Sequence, residues 1–278
     1  TPMLKQRFVV LVARENTGKT KVATDLIVKL ILSGNKPYVA TGETSRATFL
    51  AQIISCYIYR KYQLFVESKE VFSQDLSEFT PEEQQKIQTA KIEVITSGLV
   101  VDDALTYDSV ANTLREQARA GCNAFFIDHT QSLAGRNGRP MGELVTNLAL
   151  DCREFKNETK SYICLLSHPS SEMKKLLDTN PNLAATSQIS PTAQSSAVSQ
   201  EADEIFILYD NDSLKAKKLL GWITYKRRAE QIPILYIRKL FHVSAFEYDE
   251  SDQAGDRTLT GQAFEKAIAA YADDDEFD

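Results

Sequence analysis

The sequence predicts an α/β protein with a mostly parallel sheet flanked by helices and an antiparallel extension near its C-terminus. Three observations predict it. Apolar runs alternate with helix-length amphipathic segments over most of the chain, the pattern of a parallel sheet covered by helices. The first unit joins its strand to its helix through a glycine-lysine-threonine turn. After residue 204 the strand-like runs follow one another with short connections.

In chain order, the first run is Phe8–Val12. It ends in Ala13-Arg14-Glu15-Asn16-Thr17-Gly18-Lys19-Thr20, the phosphate-loop pattern G-x-x-x-x-G-K-[ST] with alanine at its first position. The chemistry sets this spacing. A strand turns sharply into a helix whose first N–H groups point at an anion. Gly18 lets the backbone approach phosphate closely, Lys19 reaches the β and γ phosphates, and the Thr20 hydroxyl is placed to ligate Mg2+. These eight residues are the candidate nucleotide-binding segment, for ATP or another NTP.

The helix over 18–32 has Val22, Leu26, Val28 and Leu30 as its expected core side. Further strands are expected at Pro37–Ala40, Ile92–Ile95, Ala124–Ile127, Tyr162–Leu166 and Glu204–Tyr209, with helices at 45–61, 108–120 and 141–157. Thr80-Pro81-Glu82-Glu83 reads as a capping box with proline at the first helical position. Gly121 is placed to end the helix before it. Trp222–Tyr225, Ile234–Arg238 and Val243–Tyr248 form the antiparallel extension. Residues 169–200, rich in Ser, Thr, Pro, Asn and Gln, read as a long loop, functional or mobile. Residues 1–248 are thus one domain, and 249–278 a polar linker, a short helix over 261–272 and an acidic tip, Asp273-Asp274-Asp275-Glu276-Phe277-Asp278.

Composition bounds the function. The 278 residues are 43% hydrophobic, enough for a sizeable core. No run of 18 apolar residues occurs, so no membrane span or membrane partner is expected, and no secretory or transit segment is read at the N-terminus. Cys56, Cys122, Cys152 and Cys164 form no C-x-x-C pair and read as buried thiols of a reducing, cytoplasmic protein. A net charge of −6 argues against a broad basic face, while a local basic channel remains compatible with nucleic acid.

Several polar residues stand at strand ends. Asp128 closes the apolar strand over 124–127; alone it reads as a helix cap or surface group, but downstream of a phosphate loop it reads as the carboxylate holding the Mg2+ shell opposite Lys19 and Thr20. Glu43 follows the second strand. It reads either as a base orienting an attacking water or as a carboxylate favoured by a helix dipole. His168 ends the strand over 162–167 and reads as a γ-phosphate sensor or as a structural histidine. His129 and His242 carry less weight. Lys226-Arg227-Arg228 lies between two predicted strands, either as a solvated turn or as charge offered to a phosphate of a neighbouring subunit.

The order of these parts, from Arg7 to Phe246, resembles the RecA-like ATPase domain of the DnaB-like hexameric replicative helicases. Ala13–Thr20 is similar to that family's G-R-P-S-M-G-K-T loop. Thr41-Gly42-Glu43-Thr44 falls at its S-L-E-M-type segment, and Ile127-Asp128-His129-Thr130-Gln131-Ser132-Leu133 resembles its I-D-Y-L-Q-L stretch. Ser167-His168 falls at its polar sensor, Gln200-Glu201-Ala202-Asp203 at its Q-D-A-D-type segment, and Lys226-Arg227-Arg228 at its K-x-R.

The resemblance implies a RecA-like P-loop NTPase and an ATP-dependent DNA helicase of DNA replication. It implies a homo-oligomeric, hexameric ring that moves on single-stranded DNA, with Mg2+ and ATP as cofactors. It implies Glu43 as catalytic base, Lys19 and Thr20 on phosphate and metal, Asp128 in the metal shell and His168 as sensor. Arg228 is implied as a finger acting in the next subunit, with Lys226 assisting. The histidine sensor resembles the phage primase-helicase and Twinkle branch, which would place a phage-encoded chain in the host cytoplasm. One segment departs: Pro191-Thr192-Ala193-Gln194-Ser195-Ser196 stands where the family has a D-L-R-G-S-like sequence. Candidate DNA contacts are Arg136, Arg139, Lys174 and Lys175, basic residues in expected loops. The acidic tip reads either as a docking peptide for a primase or polymerase or as a disordered solubilising end. The runner-up is a RecA- or KaiC-like ATPase acting as recombination mediator, loader or switch without unwinding. A phosphate-loop kinase would need an acceptor site of which the sequence carries no signature.

Overall fold

The computed structural model describes residues 6–248 except 74, 131–132, 134–136, 185, 194–195, 227–234 and 241–242. In chain order the elements are β1 (Arg7–Ala13), α1 (Lys19–Leu32), β2 (Pro37–Thr41), α2 (Arg46–Tyr62), α3 (Pro81–Thr96), β3 (Val100–Asp102), α4 (Val110–Arg119), β4 (Ala124–Asp128), α5 (Met141–Thr159), β5 (Tyr162–Ser167), α6 (Ser171–Thr179), α7 (Pro181–Ala184), α8 (Ser196–Glu201), β6 (Glu204–Tyr209), α9 (Asp212–Ala216), β7 (Leu219–Lys226), β8 (Leu235–Leu240) and β9 (Ala245–Tyr248). The strands form one sheet in the order β3-β2-β4-β5-β1-β6-β7-β8-β9. The pairings from β3 to β6 are parallel, and those from β6 through β9 are antiparallel. The expected α/β class and its antiparallel extension are both observed.

The near-continuous apolar runs are explained by burial on both sheet faces. Along β1 the side chains alternate between two cores. Val9, Leu11 and Ala13 pack with residues of α1 and α2, and Phe8, Val10 and Val12 pack with residues of α4 and α5. Phe155 of α5 meets Phe125 of β4 edge-on, with ring centroids 4.8 Å apart. Burying such a ring contributes on the order of 3 kcal/mol. All four cysteines are buried free thiols.

Local signals decide the helix ends. Thr80 and Glu83 form the reciprocal capping box, with Pro81 opening α3, and Gly121 follows α4 at φ +100°. Three expectations are corrected. Ile92–Ile95 is not a strand but the last turns of α3. The helix begun by the capping box places Ile87, Ala90 and Val94 inward and leaves Ile92 and Ile95 exposed, whereas the actual edge strand is β3. In α1, Ile27 and Ile31 share the buried face with Val22 and Val28, while Leu26 and Leu30 are only partly buried. The segment after residue 169 is not one long loop: it contains α6, α7 and α8. The expected linker, short helix and acidic tip over 249–278 lie outside the described residues, as do Arg136, Arg228 and His242. No described helix is long and apolar enough to cross a membrane.

The register brings the C-terminal ends of the parallel strands to one edge. Thr41 stands opposite Asp128, Ile127 opposite Leu165, and Val12 opposite Ser167. That edge is where open α/β sheets place their ligands.

Candidate functional site

The phosphate loop leaves β1 at Ala13 and enters α1 at Lys19. Asn16 adopts φ +61°, and Gly18 adopts φ +107° as the residue that caps the helix. No side chain caps this N-terminus, so its first N–H groups stay available to an anion. Lys19 is buried, and its Nζ makes no hydrogen bond among the described residues. Burial lowers its pKa, opposed by the charges of Asp128, Glu43 and Glu15.

Asp128 ends β4 facing this turn. Its Oδ2 accepts a 2.7 Å hydrogen bond from Thr20 Oγ1, and its buried Oδ1 has no partner among the described residues. Burial raises its pKa, against the lowering effects of Lys19 and Thr20, and Glu43 raises it further. A buried ammonium and a buried carboxylate oxygen, both without hydrogen-bond partners, are the groups that a phosphate and its metal ion would engage. The donor set fits Mg2+, a hard cation held by oxygen.

Glu43 lies beyond β2, half-exposed, with Oε2 3.3 Å from His129 Nδ1. The loop carrying it is pinned because the Gly42 N–H donates to the Asp128 carbonyl at 2.8 Å. His129 Nε2 is 3.1 Å from His168 Nε2, and His168 Nδ1 is 3.3 Å from the carbonyl oxygen of Ala13. Burial, then the charge of Lys19, lowers the pKa of both imidazoles, that of His129 to about 3. Both rings are therefore neutral at physiological pH.

The structure thus brings together Lys19, Thr20, Glu43, Asp128 and His168. It also brings in His129, to which the sequence reading gave little weight. The signal for it was its place directly after the strand-end aspartate.

Other expected site residues lie apart or are engaged. Arg14 turns away from the helix N-terminus: Nη1 pairs with Asp178 at 2.6 Å, and Nη2 donates to the Lys174 carbonyl, both on α6. Glu15 and Asn16 are exposed, whereas Thr17 is buried. Lys174 and Lys175 are exposed on helix α6 rather than in a loop, because Ser170 caps that helix by accepting from the Met173 N–H. Arg139 is ion-paired with Asp108. Lys226 Nζ donates to the carbonyls of Ser199 and Gln200 at 2.8 and 3.1 Å, at the end of α8. Asp203 accepts from Lys156 Nζ and from the Phe8 N–H, both at 2.8 Å, and so fastens the start of β1.

Residues 2–247 match the family described as the DnaB-like helicase C-terminal domain. The chain belongs to that family. A DnaB-like replicative helicase, solved in a study of its interactions with primase, superposes with a TM-score of 0.72 at 18% identity, over 89% of this chain and 58% of that one. The chain therefore spans less than two-thirds of that helicase. A second solved structure, described as an ATPase domain, matches with a TM-score of 0.72 at 19% identity, over 88% of this chain and 86% of that one. The RadB recombinase matches with a TM-score of 0.56 at 11% identity, over 89% and 92%. At these identities the likeness establishes a RecA-like fold. No curated protein matches the chain.

Proposed function

We propose that this DnaB-like domain is the motor of a ring helicase of DNA replication. It hydrolyses ATP or another NTP, moves along single-stranded DNA and separates duplex. The observation that carries this reading is the facing arrangement of Lys19, Thr20 and Asp128 with Glu43 at one sheet edge, within a chain of this family.

Lys19 and the first N–H groups of α1 bind the phosphates. Thr20 and Asp128 would hold Mg2+, which when bound would offset phosphate charge. Glu43, half-exposed at the rim, orients the attacking water and takes its proton. His168 reports the γ-phosphate through its link to Ala13. Arg228 acts on the nucleotide of the neighbouring protomer, because its charge is permanent and its donors form a fixed fork. Lys226 assists from the end of β7, where its ammonium is held on α8. Arg136, Arg139, Lys174 and Lys175 contact DNA, and the acidic tip docks a primase or polymerase.

The deciding experiment is unwinding of a forked duplex. The wild type should unwind, and Glu43→Gln should bind nucleotide but neither hydrolyse nor unwind. Mixing Glu43→Gln with Arg228→Ala protomers should restore some hydrolysis, since a mixed ring contains interfaces with both groups intact. Hydrolysis and strand binding without unwinding would favour the mediator or loader reading instead.

A further inference from the structure

Three acceptor atoms converge beside the phosphate loop in a way that nucleotide binding does not require. A carbonyl oxygen only accepts, so His168 Nδ1 donates to Ala13. A neutral imidazole has one N–H, so His168 Nε2 is an acceptor. The 3.1 Å contact between the two rings is therefore donated by His129 Nε2. His129 Nδ1 is then an acceptor as well, and it faces Glu43 Oε2 at 3.3 Å. Two acceptors so close repel unless a positive centre joins them. Asp128 adds a third: the ligand atoms of Glu43, Asp128 and His129 all lie within 4.8 Å of one another. Its Oδ1, on a residue only 1% exposed, has no hydrogen-bond partner among the described residues. Lys19 brings positive charge nearby, yet its ammonium hydrogen-bonds none of the three.

The geometry points to a transition-metal site of the Mn2+ class, formed in the nucleotide-free protein by Glu43, Asp128 and His129 Nδ1. One imidazole nitrogen with two carboxylates is a donor set that favours such ions over Mg2+, which prefers oxygen throughout. The remainder of the arrangement is what a metal-ligating histidine needs. The other N–H of His129 is fixed on His168, and His168 is fixed on the Ala13 carbonyl, so the tautomer and the ring orientation are set before the ion arrives. Asp128 also belongs to the proposed Mg2+–nucleotide site, so the two occupancies exclude each other. Binding itself does not rest on the hydrolysis reading, because it is measured without nucleotide.

The test is a Mn2+ titration of the nucleotide-free full chain, followed by loss of the free-ion electron paramagnetic resonance signal. One Mn2+ per chain is expected, retained against a large excess of Mg2+, with nitrogen coupling in the electron spin echo. His129→Ala should abolish the nitrogen coupling. Because even indirect partners of a ligand cost about 10–100-fold in metal affinity, His129→Ala and Glu43→Gln should each weaken binding by at least about tenfold. Glu43 is half-exposed, so its variant keeps the test valid should His129→Ala melt early. Mn2+ bound without nitrogen coupling, coupling that survives in His129→Ala, or ready displacement by Mg2+ would each overturn the site. None of these results bears on hydrolysis with Mg2+, which fails or stands on its own assay.

Discussion

Gly18→Ala tests the central backbone feature of the site. Gly18 sits at φ +107°, ψ +21°, a region that L side chains rarely adopt. Among the described residues a methyl group there would meet only Phe246 Cζ, at 4.0 Å, an ordinary contact, so the cost is backbone strain and not collision. Such strain is worth about 1–3 kcal/mol. A domain of this size loses about 2–4 °C of melting temperature per kcal/mol, so the expected drop is about 2–12 °C. Circular dichroism melts of the nucleotide-free protein read it directly. Gly18→Asn should fall between the two, since asparagine tolerates positive φ better than alanine. A chain that escapes the strain by returning to negative φ rotates the peptide joining Gly18 to Lys19. It then turns an α1 N–H away from the anion, so nucleotide affinity should fall in either case. A Gly18→Ala melt within a degree of wild type, with unchanged affinity for a fluorescent nucleotide, would refute the reasoning.

Two further outcomes are expected. Asp128→Asn should abolish hydrolysis yet raise the melting temperature at neutral pH, because burial holds the Asp128 pKa above the ordinary carboxylate value. A raised folded pKa means stability is fully present below the unfolded value and is lost as pH climbs through the folded one. The variant should therefore flatten that loss in pH-dependent melts, and an unchanged slope would count against a buried, ionised Asp128. Asp178→Ala should shift the melting temperature by no more than about 4 °C, since the exposed pair with Arg14 is worth at most about 1 kcal/mol. It should still alter nucleotide affinity by loosening Arg14, and identical affinity would detach the pair from the phosphate loop's function.

What could be read in the sequence was what depends on local backbone chemistry. The Gly18-Lys19-Thr20 turn is legible because its spacing encodes a strand-to-helix turn, and Asp128 because an apolar strand precedes it. The capping box at Thr80 fixes the start of α3, but the β-branched residues Ile92, Val94 and Ile95 imitate a strand. Only the continuing helical spacing of Ile87, Ala90 and Val94 resolves it. His129 carries little weight in the sequence alone because its value depends on register. Only the β2–β4–β5 pairing places it between Glu43 and His168. Arg14, Arg139 and Lys226 illustrate a different gap: sequence shows a charge but not the partner that engages it.

Those engaged charges explain how the site is built into the rest of the domain. Arg14 joins the phosphate loop to α6 through Asp178 and the Lys174 carbonyl. His168, whose ring reaches Ala13, also accepts the Ala193 N–H at 2.9 Å through its own carbonyl. Pro191 accepts the N–H of Ser170, the cap of α6, at 3.1 Å. Lys226 ties β7 to the end of α8. The described parts of the segment over 169–200 are therefore held at this sheet edge by Arg14, by the backbone of His168 and by Lys226 of β7. Pro191 and Ala193, whose backbone groups make these contacts, lie in the stretch that departs from the family's sequence pattern. The connection to the phosphate loop is thus made by backbone hydrogen bonds and by Arg14, which do not depend on the side chains of Thr192 and Ala193. A change of side chain at Thr192 or Ala193 can therefore leave the link to the phosphate loop in place.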